Sequence, residues 1–205
     1  MLKDLTIREF LEQLSSKDPV PGGGAVAALS SGLSVALVQM VANLTIDKKG
    51  YEDVNEDMKI LKKAVAPKIN EFIDLIDKDA NSFNAVLKAF RMPKETEADK
   101  KVRKSAIQEG MKYAAKIPLE VAEETAKLFP FIETVIEKGN KNAVTDGLVA
   151  AMMARTAIKS ALYNVKINLA SVKDESFVKD YSKKVEILEN EADSIVNKIL
   201  KDASL

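Results

Sequence analysis

Apolar residues recur at intervals of three and four along most of the chain, and no segment shows the strict alternation of apolar and polar residues that marks a half-buried strand. This pattern predicts an all-α fold, a single-domain bundle of long helices that occupies residues 1–205. The expected helices cover residues 6–14, 23–46, 53–90, 96–139, 142–170 and 174–201. Because proline removes a backbone donor and clashes with the preceding turn, we expect a bend at Pro67 and interruptions near Pro118 and Pro130.

The second predicted helix is distinctive because residues 22–46, a run of twenty-five, contain no charged side chain. Such a run is long enough to cross a bilayer. It also contains several hydroxyl and amide side chains, begins with three glycines and has no comparable partner segment elsewhere in the chain. We therefore interpret it as a buried central helix rich in small residues, with the helix after residue 142 beside it, and predict that the protein has no membrane partner.

Histidine and cysteine are both absent from the sequence. Their absence excludes catalysis by serine–histidine or cysteine–histidine pairs and excludes zinc sites built from imidazole or thiolate. We predict no metal site, and any acid–base chemistry falls to Asp, Glu, Lys or Tyr. Lys and Arg total 31 and so do Asp and Glu, so the chain lacks the overall positive charge that drives nucleic-acid binding. The first residues show no secretory signal, and we expect a cytoplasmic protein.

Three consecutive glycines, Gly22, Gly23 and Gly24, follow Pro21 directly before the predicted central helix. Free backbone N–H groups at a helix N-terminus favour an anion or an electron-rich carbonyl, and glycine allows a ligand to approach the backbone closely. The loop is not a P-loop, because no Gly-Lys-Ser/Thr follows, and not a dinucleotide fingerprint, because no strand precedes it. A ligand cradle and a flexible turn both account for the motif.

Asp79 is the one acidic residue that the periodicity places on the apolar stripe of the third predicted helix. The stripe contains Ile69, Phe72, Ile76, Phe83, Val86, Leu87 and Phe90, whereas the opposite side carries Glu71, Asp74, Asp77, Lys78 and Lys88. An ionised carboxylate on a buried face needs a partner, or its pKa rises until it holds a proton near neutral pH. Asp79 is therefore either a general acid or a buried structural acid bonded to another helix.

Further polar residues mark the fifth predicted helix. Asp146 lies in its first turn, where the helix dipole favours a carboxylate, and Asn142 or Thr145 can cap its N-terminus. Asn164 and Asn168 lie four residues apart on one face of a mostly apolar stretch. Buried amides have hydrogen-bond partners, and both a ligand and a neighbouring helix fit this pattern.

Six short motifs follow one another along the chain. They are Pro21-Gly22-Gly23-Gly24, Met40–Thr45, Asp79 with Phe83, Met92-Pro93-Lys94 with Thr96-Glu97, Gly139-Asn140 with Thr145-Asp146, and Asn164–Leu169. In this combination they resemble the cyclodeaminase/cyclohydrolase family of folate enzymes. The resemblance covers most of the chain and implies an all-helical fold, a homodimer or higher homo-oligomer, and a tetrahydrofolate substrate held near the glycine loop.

The resemblance implies one of two related reactions. In formiminotetrahydrofolate cyclodeamination, the first expectation, N10 of 5-formiminotetrahydrofolate attacks the formimino carbon and ammonia leaves, which gives 5,10-methenyltetrahydrofolate. In methenyltetrahydrofolate cyclohydrolysis, the alternative, water opens the methenyl ring to 10-formyltetrahydrofolate. Both reactions need proton transfer at nitrogen. Neither needs a metal or a redox cofactor, so no cofactor beyond the tetrahydrofolate substrate is implied.

Carried over to this sequence, the resemblance implies that Asp79 is the proton donor and that Asp146 is a second acid or a ligand of the pterin. Gly22, Gly23 and Gly24 are expected to offer N–H groups to folate. The other substrate-binding residues that it implies are Pro21, Asn43, Lys49, Asn140, Asn164 and Asn168, with Lys48 and Lys94 as further candidates for the glutamate tail.

Three classes of function follow from the sequence. The first is a folate enzyme, with cyclodeaminase ahead of cyclohydrolase. The second is a folate-binding protein without catalysis, and the third is a structural helical protein whose glycines and inward acid serve packing. Ala25 and Thr145 occupy positions where the family often has serine. These differences are expected to affect substrate preference more than the fold.

Overall fold

All regular structure in the computed structural model, which describes residues 1–203, is helical. The α-helices are α1 (Ile7–Leu14), α2 (Gly23–Asn43), α3 (Asn55–Phe90), α4 (Glu97–Ala126), α5 (Phe129–Lys138), α6 (Val144–Leu169) and α7 (Glu175–Asp202). Short 3-10 helices occupy Leu2–Asp4, Glu52–Val54 and Lys141–Ala143. The described residues contain no β-strand, and the predicted all-α bundle is confirmed.

α2 lies at the centre of the bundle, packed mainly against α3 and α6. Its alanines Ala25, Ala27 and Ala28 are fully buried. Because these side chains are short, α6 approaches closely enough for Ser34 Oγ of α2 to donate a hydrogen bond to Ala150 O (2.8 Å). The central placement predicted for α2 and α6 is confirmed.

The uncharged segment forms one continuous helix inside the protein. Of the helices in residues 1–203, only α2 is long and apolar enough to cross a bilayer, and 56% of that stretch is buried inside the bundle. A bundle core requires the same apolar composition as a membrane span, because both surround the helix with hydrocarbon.

Capping residues begin three of the helices. Thr6 Oγ1 accepts a hydrogen bond from Glu9 N–H, and the Glu9 carboxylate accepts one from Thr6 N–H, which forms a capping box at α1. Thr96 and Asp99 form the predicted capping box at α4. Asp174 caps α7, where the final helix was expected to start.

The expected interruption near Pro118 is wrong, because α4 continues through that residue. A proline at 118 cannot donate to Ala114 O, four residues earlier. Asn168 of α6 supplies the missing donor, since its Nδ2 donates to Ala114 O (2.8 Å). α3 also continues through Pro67, where a bend rather than an interruption was expected. The predicted break near Pro130 does occur, and Pro130 is the second residue of α5. The first N–H groups of a helix have no partner within the helix, so a proline in this position costs no hydrogen bond.

α2 ends at Asn43 rather than near Ile46. The chain then turns around Thr45, whose hydroxyl donates to Val41 O (2.7 Å) and accepts from Asn140 N–H (2.8 Å). A tertiary contact with the segment before α6 therefore sets this helix end, and the local sequence did not indicate it.

The start of α6 also differs from the prediction. The residue before its first turn is Ala143, and no side chain caps the helix, so neither Asn142 nor Thr145 has the expected capping role. Asn140 instead caps the 3-10 helix Lys141–Ala143, since its Oδ1 accepts from Asn142 N–H (3.1 Å).

The two faces of α3 are less distinct than the periodicity predicted. Asp77, expected on the exposed side, is buried, because the 3-10 helix Leu2–Asp4 covers that side and Leu2 N–H donates to Asp77 Oδ1 (2.7 Å). Phe90, expected on the apolar stripe, is 46% exposed. The Arg103 guanidinium lies 5.8 Å from the Phe90 ring centroid, so a charged group rather than the core covers this ring.

Candidate functional site

The Asp79 carboxylate lies against the N-terminus of α2. A Cβ atom added at Gly24 would come within 2.6 Å of Asp79 Oδ2 and closer still to Oδ1, so only glycine fits at residue 24 beside this acid. The Ala25 N–H donates a hydrogen bond to the carboxylate. Asp79 is therefore fixed against the main chain of the central helix.

Burial raises the pKa of Asp79 from its ordinary value to about 6, and the hydrogen bond from the Ala25 N–H opposes part of this rise. In residues 1–203, no lysine or arginine forms an ion pair with this carboxylate; the neighbouring Lys78 pairs with Glu120 instead (3.3 Å). At neutral pH the group is mostly ionised, and a modest change in its surroundings would protonate it. These are the properties that a proton-transfer group requires.

The glycine loop places backbone donors beside Asp79. The first intrahelical hydrogen bond of α2 runs from Val26 N–H to Gly22 O (3.1 Å), so the N–H groups of Gly23 and Gly24 precede the regular ladder. The N-cap residue, Gly22, has no side chain that could cap this helix, and Gly23 is exposed. A ligand can therefore reach the Gly23 N–H at the positive end of the helix dipole, whereas Gly24 is buried.

α1 and α3 hold the loop in place. Pro21 is buried, and Gln13 at the end of α1 donates from Nε2 to Val20 O (3.4 Å). Gly22 adopts an extended conformation immediately before the helix begins. This ordered geometry indicates that the segment is a fixed turn.

α6 forms the other wall of the site. A Cβ atom at Gly23 would lie 3.1 Å from Asn164 Nδ2, so the Asn164 amide borders the glycine loop. Its Nδ2 donates to Ser160 O (2.8 Å). Asn168, one turn further along, donates from Nδ2 both to Ala114 O (2.8 Å) and to Asn164 O (2.9 Å). Asn164 therefore faces the site, whereas the Asn168 amide hydrogens bond to two helices.

The structure thus brings together Asp79, Pro21, the three glycines, Asn164 and Asn168, but it places the remaining predicted residues elsewhere. α2 and α6 run antiparallel, with Gly23 beside Asn164 and Ser34 bonded to Ala150. Asp146 precedes Asn164 by eighteen residues on α6, a separation of about 27 Å along the helix. Asn43, Lys49, Asn140 and Asp146 belong to this far end of the α2–α6 pair.

The residues at the far end have different surroundings. Asn140 is buried and its amide bonds to the protein at both ends, since its Nδ2 donates to Leu44 O (3.1 Å) and its Oδ1 accepts from Asn142 N–H. Lys49 is exposed in the turn before Gly50, which has a φ of 88°. Asn43 is exposed and lines a groove of about 310 Å³. Asp146 is half-buried in the first turn of α6, and Lys48 and Lys94 are exposed.

Two other features of the described residues lie apart from this site. No group of three or more acidic side chains is arranged to hold a metal ion anywhere in residues 1–203. A cavity of about 430 Å³ lies between α5, α6 and α7, lined by Glu133, Ile136, Lys141, Lys198 and their neighbours. It contains none of the predicted site residues.

A family described as formiminotransferase-cyclodeaminase matches residues 6–187 of the chain. The chain belongs to this family. It is 37% identical to the methenyltetrahydrofolate cyclohydrolase of Methylorubrum extorquens, over 95% of this chain and 93% of that protein. It is 34% identical to the formimidoyltransferase-cyclodeaminase of Sus scrofa, over 91% of this chain but only 34% of that longer protein. The formiminotetrahydrofolate cyclodeaminase of Thermotoga maritima has the same fold, with a TM-score of 0.87, 32% identity and coverage of 98% of this chain and 96% of that one.

Membership in the formiminotransferase-cyclodeaminase family confirms the resemblance drawn from the motifs. The roles of the individual residues remain predictions, although the geometry separates them into two groups at opposite ends of α2. In this member of the family, the end that carries Asp79 combines an acid, free backbone donors and an amide.

Two contributors to the site could not be predicted from the sequence. The Ala25 N–H, which bonds to Asp79, has no signal in the sequence beyond its place three residues after Gly22. Gln13 holds the loop through Val20 O, and nothing in the α1 pattern singles it out. Both act through tertiary contacts that join segments distant in sequence.

Proposed function

We propose that this protein is a formiminotetrahydrofolate cyclodeaminase that converts 5-formiminotetrahydrofolate into 5,10-methenyltetrahydrofolate and ammonia. The observation that carries the proposal is the Asp79 carboxylate, fixed against the first turn of α2 next to the exposed Gly23, with a pKa raised to about 6. The fold shared with the Thermotoga maritima cyclodeaminase supports it.

Asp79 can carry out both proton transfers of this reaction. As N10 attacks the formimidoyl carbon, its proton passes to the ionised carboxylate, which leaves a tetrahedral carbon bonded to N5, N10 and an amino group. The protonated Asp79 then gives this proton to the amino group. The carbon–nitrogen bond breaks, ammonia leaves, and the lone pair of N5 restores the delocalised cation. Asp79 ends ionised, as it began, so one group of intermediate pKa serves as base and acid in turn.

The other residues of this end of α2 position the substrate. The exposed N–H group of Gly23 suits a carbonyl or carboxylate oxygen of folate, and Asn164 offers an amide at the opposite wall. The reaction changes no oxidation state and uses no Lewis acid. We therefore propose no cofactor beyond the tetrahydrofolate substrate itself.

Methenyltetrahydrofolate cyclohydrolase activity is the second candidate, favoured by the full-length similarity to the Methylorubrum extorquens enzyme. In that reaction Asp79 would take a proton from the water that attacks the methenyl carbon. It would then pass this proton to N5 as the carbon–N5 bond breaks, while the hydroxyl proton leaves to solvent and 10-formyltetrahydrofolate forms. The same acid at the same place serves either reaction.

We further propose that the protein is a homodimer joined through α2 and α6. These antiparallel helices expose large apolar side chains, namely Leu33, Met40, Val149, Met152, Tyr163 and Ile167, each between 37% and 70% exposed. Exposed apolar groups on two adjacent helices favour a protein partner. A two-fold axis across the middle of α2 would exchange its ends and bring the Asp146 end of one copy to the Asp79 end of the other.

Sedimentation analysis tests the proposed dimer. The wild-type protein is expected to sediment as a dimer, and Met152→Asp as a monomer because the new charge would be buried at the interface. Ile60→Asp, on an exposed part of α3 with 68% exposure, is the matched control and is expected to leave the dimer intact. A monomeric wild-type protein would contradict the proposal.

Absorbance of the methenyl chromophore tests the activity. With 5-formiminotetrahydrofolate, a cyclodeaminase makes the band appear and releases ammonia. With 5,10-methenyltetrahydrofolate, a cyclohydrolase removes the band faster than the spontaneous reaction does. Tight folate binding without either absorbance change would indicate a folate-binding protein without catalysis. If folate does not change the melting temperature, the protein has no folate site.

A further inference from the structure

The charges around Asp79 suggest which form of the one-carbon unit the site binds. The carboxylate is half-buried and makes no ion pair with any lysine or arginine of residues 1–203. A carboxylate removed from water without a cation is costly unless a ligand supplies the positive charge. None of the lysines and arginines in the described part of the chain supplies that charge by pairing with Asp79.

In residues 1–203 the elements packed around Asp79 offer dipoles, and no lysine or arginine pairs with it. On α4, which packs against α3, Lys112 pairs with Asp174 (2.9 Å) and Lys116 is exposed. From α2, Asp79 receives the Ala25 N–H, and α6 borders the site with the uncharged amide of Asn164. On α3 itself, Lys78 pairs with Glu120, and the other nearby acid, Asp77, accepts from Leu2 N–H. The partial positive charge of the α2 N-terminus offsets only part of a full negative charge.

We propose that Asp79 makes the site selective for cationic N–C–N one-carbon adducts of tetrahydrofolate over neutral adducts of the same shape. This inference rests on the proposed function and specifies its substrate class. Formimidoyl as an amidinium and the methenyl bridge share a delocalised positive charge over two nitrogens, whereas formyl derivatives are neutral. The Asp79 carboxylate attracts the formimidoyl and methenyl cations electrostatically, whereas it has no such attraction for a neutral formyl derivative.

Selectivity for a cation suits either of the two candidate reactions. Cyclodeamination begins and ends with a cation, and cyclohydrolysis begins with a cation and ends with a neutral formyl product. Selectivity for the cation holds the substrate of either reaction before proton transfer. It also assists release of the neutral product in cyclohydrolysis.

A pair of stable analogues tests the selectivity without turnover. In 5-formimidoyl-10-deazatetrahydrofolate and 5-formyl-10-deazatetrahydrofolate a carbon replaces N10, so neither compound can cyclise, and the two differ only in a charged =NH2⁺ against a neutral =O. Calorimetric titration at pH 7.5 gives the ratio of their dissociation constants. A charge pair at a partly exposed site predicts that the wild-type protein binds the cation at least about tenfold more tightly.

The matched variants are Asp79→Asn and Asp77→Asn, which remove one negative charge each from the same helix. The tenfold preference is expected to fall to within about twofold in Asp79→Asn and to persist in Asp77→Asn. The wild-type preference is also expected to shrink at pH 5, where Asp79 gains a proton and the amidinium keeps its charge. This second measurement needs no substitution and stands if Asp79→Asn fails to fold.

The outcomes separate this inference from the proposed function. Equal binding of both analogues by the wild-type protein, or a preference that Asp79→Asn leaves unchanged, would overturn the charge selectivity while the folate site stands. Binding of neither analogue would overturn the folate site and the selectivity together.

Discussion

The Asp79 carboxylate occupies the space that a side chain at Gly24 would need. This contact joins the middle of α3 to the first turn of α2, two segments more than fifty residues apart in sequence. It holds the acid beside backbone donors and shields it from water. The raised pKa of Asp79 and the glycine at residue 24 are therefore two consequences of one packing arrangement.

Replacing Asp79 with Asn is expected to lower the rate of the chemical step by a factor of about 100 or more, because asparagine keeps the shape and cannot shuttle a proton. Single-turnover absorbance of the methenyl band measures this rate. Asp77→Asn, which changes the same charge on the same helix outside the site, is the control and is expected to retain activity. Unchanged turnover in Asp79→Asn would remove the proposed role.

The same substitution is expected to stabilise the fold at neutral pH. The pKa of Asp79 is about 6 in the folded protein against an ordinary value of 3.8, so the folded state holds this proton more tightly than the unfolded state does. The contribution of Asp79 to the free energy of unfolding is therefore most favourable below about pH 4, and it is lost as the pH rises through 6. At pH 7.5, Asp79→Asn should gain on the order of 1–3 kcal/mol over the wild type.

Urea unfolding of both proteins at pH 7.5 and pH 4 measures this difference. The gain should nearly vanish at pH 4, where Asp79 is protonated in the native state. A gain of equal size at both pH values would show that ionisation of Asp79 does not cause it.

The pH profile of kcat/KM for cyclodeamination is expected to rise between pH 5 and 7 with a midpoint near the Asp79 pKa of about 6. The reason is that Asp79 must be ionised to accept the N10 proton. Initial rates in buffers of constant ionic strength test this. A flat profile over the same range would indicate that a different group takes the proton.

Alanine substitutions along α2 are expected to differ sharply in effect. At Gly24 a Cβ would overlap the Asp79 carboxylate, so Gly24→Ala should displace the acid and lower activity at least about tenfold. At Gly23 the nearest group is Asn164 Nδ2 at 3.1 Å, so Gly23→Ala should be milder and Gly23→Val should weaken folate binding, as calorimetry can measure.

Gly32 is the control, because its Cβ would meet only Phe72 Cβ at 3.9 Å. Gly32→Ala should keep activity and gain about 0.5–1 kcal/mol of stability.

Asn168 and Pro118 are expected to be energetically coupled. Asn168→Ala would leave Ala114 O, buried opposite Pro118, without its donor, at a cost of about 1–3 kcal/mol. In a Pro118→Ala background residue 118 regains an N–H for Ala114 O, so Asn168→Ala should then cost about 1 kcal/mol less. A double-mutant cycle by urea unfolding measures the coupling. Independent costs would mean that the Asn168 amide does not replace the missing helical donor.

Local sequence determined the helices and the main candidate acid. The spacing of apolar residues is a property of each helix alone. It predicted six helical segments close to the observed ones, apart from the continuity of α4, the end of α2 and the caps of α6. It also placed Asp79 on the inner side of α3 and the glycines at the start of α2. The absence of histidine left the proton transfer to a carboxylate or another remaining side chain.

Tertiary structure alone decided how the candidate residues are grouped and which faces are covered. Asp77 is buried because a distant segment, Leu2–Asp4, packs over it, and periodicity cannot report what packs on a helix from outside. α4 passes through Pro118 because a side chain of α6 replaces the lost hydrogen bond. The antiparallel pairing of α2 and α6 places Asp79 and Asp146 at opposite ends, although the motifs contain both. Helix formation depends on neighbours in sequence, whereas a site depends on neighbours in space.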